Sequence, residues 1–190
     1  VVRVSLAGTD AESGDQIKLY NGSTSIATAV TLTAADIAIG FVDVTTGLLS
    51  EGAYSIRATL TDVAGNASPS SAIFALTVDT TAPSAPAITL VPDDVGSIKG
   101  PLASGARSDD TNFSVRIGIT TTNAVAGDTV RLYNGTAPLG LAFTLYPSDL
   151  TNGYVVIDSD LLSDGAYSLN SRVIDAAGNA SNASPSFSVT

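Results

Sequence analysis

The sequence contains no cysteine, histidine, tryptophan or methionine. Without cysteine there is no disulfide framework and no thiolate chemistry. With histidine missing as well, the usual nucleophile–base pairs and the ordinary zinc ligands are gone. Paired carboxylates are the one acid–base device left, and a glycosidase needs one of them in a pocket that raises its pKa. The aspartates here fall in polar, glycine-rich stretches that favour ionisation, so no enzymatic activity is expected. Basic residues are scarce too: eight Lys and Arg stand against 18 Asp and Glu, a net charge of −10. Such a surface repels nucleic acid and anionic membranes. No apolar run reaches the roughly 18 residues that membrane insertion by a helix requires. No signal-peptide pattern occurs, and the chain opens inside a strand-like pattern, which leads to the expectation of a fragment of a longer protein.

What is present favours strands and tight turns. Val, Ile, Leu, Thr and Ala supply the apolar and β-branched stock, with 17 Gly and 8 Pro between them. Of the acids, only Glu12 and Glu51 are Glu; the other 16 are Asp. Asp is both a turn former and a compact oxygen ligand, so each one has a plain structural role open to it.

An internal repeat sets the architecture. Residues 1–77 align with 114–190 at a constant offset of 113, without a gap, and 32 of the 77 pairs are identical. Leu19-Tyr20-Asn21-Gly22 matches Leu132-Tyr133-Asn134-Gly135, and Asp62-Val63-Ala64-Gly65-Asn66 matches Asp175-Ala176-Ala177-Gly178-Asn179. The chain therefore reads as one full repeat preceded by the last 77 residues of another.

Within each copy apolar residues recur at every second position, as in Val2, Val4 and Leu6, or Tyr54, Ile56, Ala58 and Leu60. Period 2 buries one face and leaves the other wet, as in an antiparallel sandwich. In the complete copy the pattern predicts strand A near 85–91, B at 113–119, C at 128–133, D at 138–145, E at 153–158, F at 166–174 and G at 185–190. The expected fold is all-β: tandem immunoglobulin-like antiparallel β-sandwiches with Greek-key connections and about seven strands each. The domains are expected at 1–78, lacking its first strand, and 85–190, joined by a short Pro-flanked linker at 79–84. Tyr54 and Tyr167 fall where that fold keeps a structural corner tyrosine.

The passage Val78-Asp79-Thr80-Thr81-Ala82-Pro83, then Ala85-Pro86-Ala87-Ile88-Thr89, Asp93-Asp94-Val95-Gly96 and a final Asp-x-Ala-Gly-Asn turn is a specific series. It resembles the bacterial immunoglobulin-like (BIg-type) tandem repeats of giant surface adhesins: the biofilm-associated, RTX-type and type I-secreted adhesins. The resemblance covers the whole chain and implies a bacterial, extracellular cell-surface stalk with calcium at the joints. The glycine-rich nonapeptides of RTX repeats themselves are absent.

Calcium also suits the residues. A hard cation takes six to eight oxygens from carboxylates, carbonyls and water. Sandwich topology gathers the A–B, C–D and E–F loops at one pole, which places Asp93, Asp94, Asp109, Asp110, Asp158, Asp160 and Asp164 together. Two unit charges about 4 Å apart repel by roughly 1 kcal/mol in water and about 4 at an effective dielectric of 20, so such a pole calls for a cation. At the joint between copies the candidates are Asp79 from the linker, Asn123, Asp128, Asp175 and Asn179 from the second copy, and Glu51 and Asn21 from the first. For Asp175 and Asn179 the competing role is a self-stabilised F–G turn. Asp158-x-Asp160 lacks EF-hand spacing and the terminal Glu. The Asn-x-Ser/Thr sequences at Asn21, Asn66, Asn134, Asn179 and Asn182 read as turns.

The expected function is that of monomeric stalk domains of an adhesin serving adhesion or biofilm formation. Their partners are neighbouring repeats of the same chain, and any host or surface ligand is met through other domains. Two alternatives compete. A glycan- or protein-binding module would show insertions carrying aromatics or a pocket, and the two copies align without insertion. An accessory immunoglobulin-like module of a secreted polysaccharide-degrading enzyme would be distinguished by the rest of the parent chain.

Overall fold

The computed structural model describes every residue except Ile98. The chain divides into two compact units, Val1–Asp79 and Thr80–Thr190. In the first, strands β1 (Val2–Ser5), β2 (Gln16–Asn21), β3 (Thr24–Ser25) and β4 (Val30–Thr31) precede a short helix α1 (Ala34–Ile39). Strands β5 (Phe41–Val44), β6 (Gly52–Thr61) and β7 (Phe74–Val78) follow. The second opens with β8 (Ala87–Leu90), β9 (Pro92–Asp93) and β10 (Gly100–Pro101). It then repeats the first series as β11 (Ser114–Gly118), β12 (Thr129–Asn134), β13 (Ala137–Pro138), β14 (Phe143–Thr144), α2 (Pro147–Asn152), β15 (Tyr154–Asp158), β16 (Tyr167–Ile174) and β17 (Phe187–Val189).

Each unit is a sandwich of antiparallel sheets. In the second, β15-β11-β8 faces β13-β12-β16-β17, with β14 also paired to β12. In the first, β1-β5 faces β3-β2-β6-β7, with β4 on β2. The alternating residues of the facing strands build the core. Val115, Ile117, Val130, Leu132, Leu169 and Val173 are fully enclosed in the second unit, and Leu19, Val44 and Ile56 in the first. Predicted strands A, B, C, E, F and G lie where β8, β11, β12, β15, β16 and β17 run.

The alternation hid two things. Strand D is broken into β13 and β14 rather than running through 138–145. The stretch between D and E is a single helical turn. In the first unit Thr33 caps it: its hydroxyl accepts from the Asp36 amide, and Asp36 Oδ2 in turn accepts from the Thr33 amide at 2.8 Å. Six residues are too few to show a helical period, so the marks are at the ends: the Thr-x-x-Asp box before it and Gly40 in the left-handed region after it.

Sheet edges are finished by side chains. The hydroxyls of Ser68 and Ser71 accept from the Leu60 and Ala58 amides, both at 3.0 Å, along the half of β6 that β7 does not cover. Ser181 and Ser184 do the same for Val173 and Ser171. The corner tyrosines behave alike: Tyr54 donates to the Ser50 carbonyl at 2.8 Å, and Tyr167 to the Ser163 carbonyl at 2.7 Å.

Candidate functional site

Three loops meet at one pole of the second unit. The Ser159 and Phe113 amides exchange bonds with the Phe113 carbonyl and the Ser159 hydroxyl, both at 2.9 Å, and the Leu162 amide donates to the Thr111 carbonyl at 2.6 Å. The Gly140 amide donates to Asp160 Oδ2 at 2.9 Å. The A–B, C–D and E–F loops are thus joined by hydrogen bonds, and their acids divide into two groups.

The first group belongs to the A–B loop. Asp93 is only 4% exposed; one of its oxygens accepts from the Ser108 hydroxyl at 2.9 Å, while Oδ1 is buried with no hydrogen-bond partner. Asp110 accepts from the Asp94 amide at 3.0 Å through Oδ2, and its Oδ1 is likewise buried and unpartnered. Asp109 lies against Gly96, where an added Cβ would fall inside its carboxylate; Gly96 also has φ +68°. A side chain there would both strain the backbone and expel the acid. Asp109, Asp110 and Asp164 share one cleft of about 300 Å³, and Asp93 and Asp109 another of about 230 Å³.

Asp158 and Asp160 form the second group and work as structural acceptors. Asp158 takes the Ser114 hydroxyl at 2.6 Å, and Asp160 holds the C–D turn through Gly140. Among the described residues, no three acidic side chains come close enough together to hold a metal ion by themselves. A cation here would have to draw on main-chain carbonyls, hydroxyls and water besides the orphaned Asp93 and Asp110 oxygens. Those orphans fit that chemistry, since a buried carboxylate oxygen without a donor carries a desolvation cost that a cation removes.

The residues expected at the joint have the following places. Asp175 and Asn179 close the F–G turn: the Asn179 amide and side-chain amide donate to the two Asp175 oxygens at 2.8 and 2.9 Å. The Asn179 side chain, opposed by burial and aided by backbone amides, holds the Asp175 carboxyl below its ordinary pKa. Asp62 and Asn66 form the same turn in the first unit, with the same lowering. Asn21 Oδ1 accepts from the Ser55 amide at 2.9 Å, tying β2 to the start of β6. Asp128 is 2% exposed and accepts from the Val125 amide at 2.9 Å. Asn123 adopts φ 57° in the B–C loop. Asp79 and Glu51 are exposed. Sequence reading had no means of finding the Ser108–Asp93 bond, because a serine fifteen residues away carries no periodic or motif signal.

No family model matches this chain. Among curated proteins it is 32% identical over 193 residues to exoglucanase B of Cellulomonas fimi, covering 97% of this chain but only 14% of the exoglucanase. Among solved structures it resembles the fibronectin(III)-like modules of Clostridium thermocellum CbhA, with a TM-score of 0.55 at 16% identity, over 99% of this chain and 83% of that one. A Ca²⁺-stabilized adhesin of an Antarctic bacterium aligns at TM-score 0.45 and 22% identity, over 98% of this chain and 42% of that one, too loose a superposition to bear argument. The structural likeness establishes the fold: two consecutive fibronectin III- or immunoglobulin-like β-sandwich modules.

Proposed function

We propose that the chain is a pair of non-catalytic spacer modules from a long, secreted bacterial protein. The observation that carries this is the gap-free correspondence of the two copies. Strands, helical turn, corner tyrosine and Asp–Asn turn recur at the same offset, and within the aligned 77 residues no loop of either copy is enlarged relative to the other to build a binding site. Duplicated modules with equal loops suit setting a distance between other domains. The linker and turn motifs favour a surface adhesin as the parent. A second reading, accessory modules of a secreted polysaccharide-degrading enzyme, is favoured by the 32% identity to a segment of exoglucanase B.

Calcium is the finer part of the proposal. In the second unit Asp93 and Asp110 would supply its carboxylate oxygens, with Asp109, Asp94 and Asp164 as neighbours in the same loops. Stiffening of the passage between modules through Asp79 rests on the sequence pattern alone.

Two measurements test the reading. Incubation with insoluble cellulose and a glycan array should show no retention and no turnover. Specific retention abolished by a loop substitution would make this a binding module instead. Calcium titration watched by calorimetry should saturate with a dissociation constant of about 10⁻⁴–10⁻³ M, the range of extracellular modules. A hundredfold excess should then stabilise the second unit by about 2.7 kcal/mol. Asp93→Asn should remove that gain. Identical melting in calcium and in chelator would exclude the A–B loop site, and superimposable scattering profiles would exclude the stiffening.

A further inference from the structure

The two units differ in what covers one side of the sandwich. In the second, residues 87–91 and 102–108 lie across both sheets. Strand β8 pairs with the outer edge of β11, matching Leu90 to Arg116, Ile88 to Ile117 and Ala87 to Gly118. Val91 then turns fully into the core. Further on, the same segment runs beside β17: the Gly105 and Ser108 amides donate to the Ser188 and Thr190 carbonyls at 2.7 and 3.0 Å, and Thr190 returns a bond to Ala106.

In the first unit no strand among the described residues pairs with the equivalent edges. Strand β1 pairs only with β5, and β7 only with β6. The inward residues of β1, Val2 and Val4, are only partly buried, whereas their counterparts Val115 and Ile117 are 0% exposed. Phe74, at the start of β7, is 59% exposed. Two clefts of about 600 and 400 Å³ run along this side, and both are lined by Val4, Ser5, Ala58 and Ser71. An apolar trough beside two unpaired strand edges is a receptor for an added strand.

We infer that this trough is the seat of an A-type repeat segment, like residues 80–113, carried by the parent chain on the N-terminal side of Val1. The occupant follows from the molecule itself, since the matching trough of the second unit is filled by such a segment, in register. A second copy of the chain is a poorer donor. Its own residues 80–113 are already in use, and releasing them would expose Val91 and Phe113 from a finished core. The inference holds for either parent considered above.

The register also bears on one residue. Gly118 faces β8 so closely that a Cβ there would meet Thr89 Cγ2 at 3.0 Å. The corresponding residue of the first unit is Ser5, which has that Cβ. In the same register a threonine at the position equivalent to Thr89 has to give way by a few tenths of an ångström, and a smaller residue fits there without that shift.

The test extends the full chain by placing a copy of residues 80–113 directly before Val1. Hydrogen exchange at the β1 amides should slow by about 100-fold, and the first unit's melting point should rise by on the order of 10 °C. The same extension with Ile88→Asp and Val91→Asp in the added copy should behave like the unextended chain. Thr89→Ala in the added copy should raise the melting point further. Unchanged β1 exchange in the extended chain would overturn the inference, as would equal rescue by the Asp-bearing extension. Loss of stability with Thr89→Ala would overturn the register. Sedimentation showing the unextended chain as a dimer with protected β1 amides would move the occupant to a second copy.

Discussion

The two copies share 32 of 77 aligned residues and the same order of strands, yet their interiors are unequal. Among the described residues, fourteen buried apolar side chains form the core of the second unit and seven that of the first. The difference is not in the quality of the shared strands. Val2 and Val115 are the same residue type at the same position of the same strand; one is partly buried and the other sealed. What separates them is the covering segment 80–113. A residue's worth to stability is therefore set by its neighbours across the sandwich rather than by its own identity.

The largest expected effect breaks that comparison directly. Ile117→Ala should cost the second unit about 3 kcal/mol, because a fully enclosed side chain leaves a cavity. Val4→Ala, the equivalent position, should cost the first unit only about 1 kcal/mol, since part of that surface is already wet. Calorimetry of the full chain should resolve two transitions, the first unit's lower, and each substitution should move only its own. Equal losses at the two positions would mean that the covering segment contributes little. Next comes the serine bond at the sheet edge. Ser181 is 1% exposed, so Ser181→Ala leaves the buried Val173 amide short of an acceptor and should cost about 2 kcal/mol. Ser68 makes the same bond in the open, and Ser68→Ala should cost under about 1 kcal/mol because water replaces the hydroxyl. Urea midpoints of the paired variants measure both.

The sequence carried the sandwich because its strands alternate and its repeat has no gaps. Both signals are local and survive without coordinates. The corner tyrosines and the Asp–Asn turns were legible for the same reason, each being a short motif whose partner lies four residues away. The site was less legible. Loop topology placed the acids of the A–B and E–F loops at one pole, but it could not show that Asp158 and Asp160 spend an oxygen each on Ser114 and Gly140. Nor could it show that Asp93 is buried with a free oxygen, since burial of a loop acid depends on Ser108 and the fold of the whole loop. Hydrogen bonds across fifteen or forty residues have no periodicity to read.

The smaller effects sharpen the comparison where the copies agree. Tyr54→Phe and Tyr167→Phe each remove one hydrogen bond to a main-chain carbonyl, at 2.8 and 2.7 Å. Both should cost about 1 kcal/mol, equally in the two units.

Acid should act on both units through the same turn. The Asn66 and Asn179 side chains, with backbone amides, lower the Asp62 and Asp175 pKa values against the opposing pull of burial. A group whose folded pKa is depressed adds stability that is fully present above its unfolded value, about 3.9 for Asp. That contribution is lost as pH falls through the folded value. The urea midpoints of both units should accordingly be flat in this respect from pH 7 to about 5 and then decline below about 4. Asn179→Ala should flatten the acid decline of the second transition and leave the first untouched, and Asn66→Ala should do the reverse. These carboxylates lie at the surface, so salt and water screen them and the change is the smallest of the set. An acid decline in the second unit that survives both Asn179→Ala and Asp175→Asn would show that this turn is not its source.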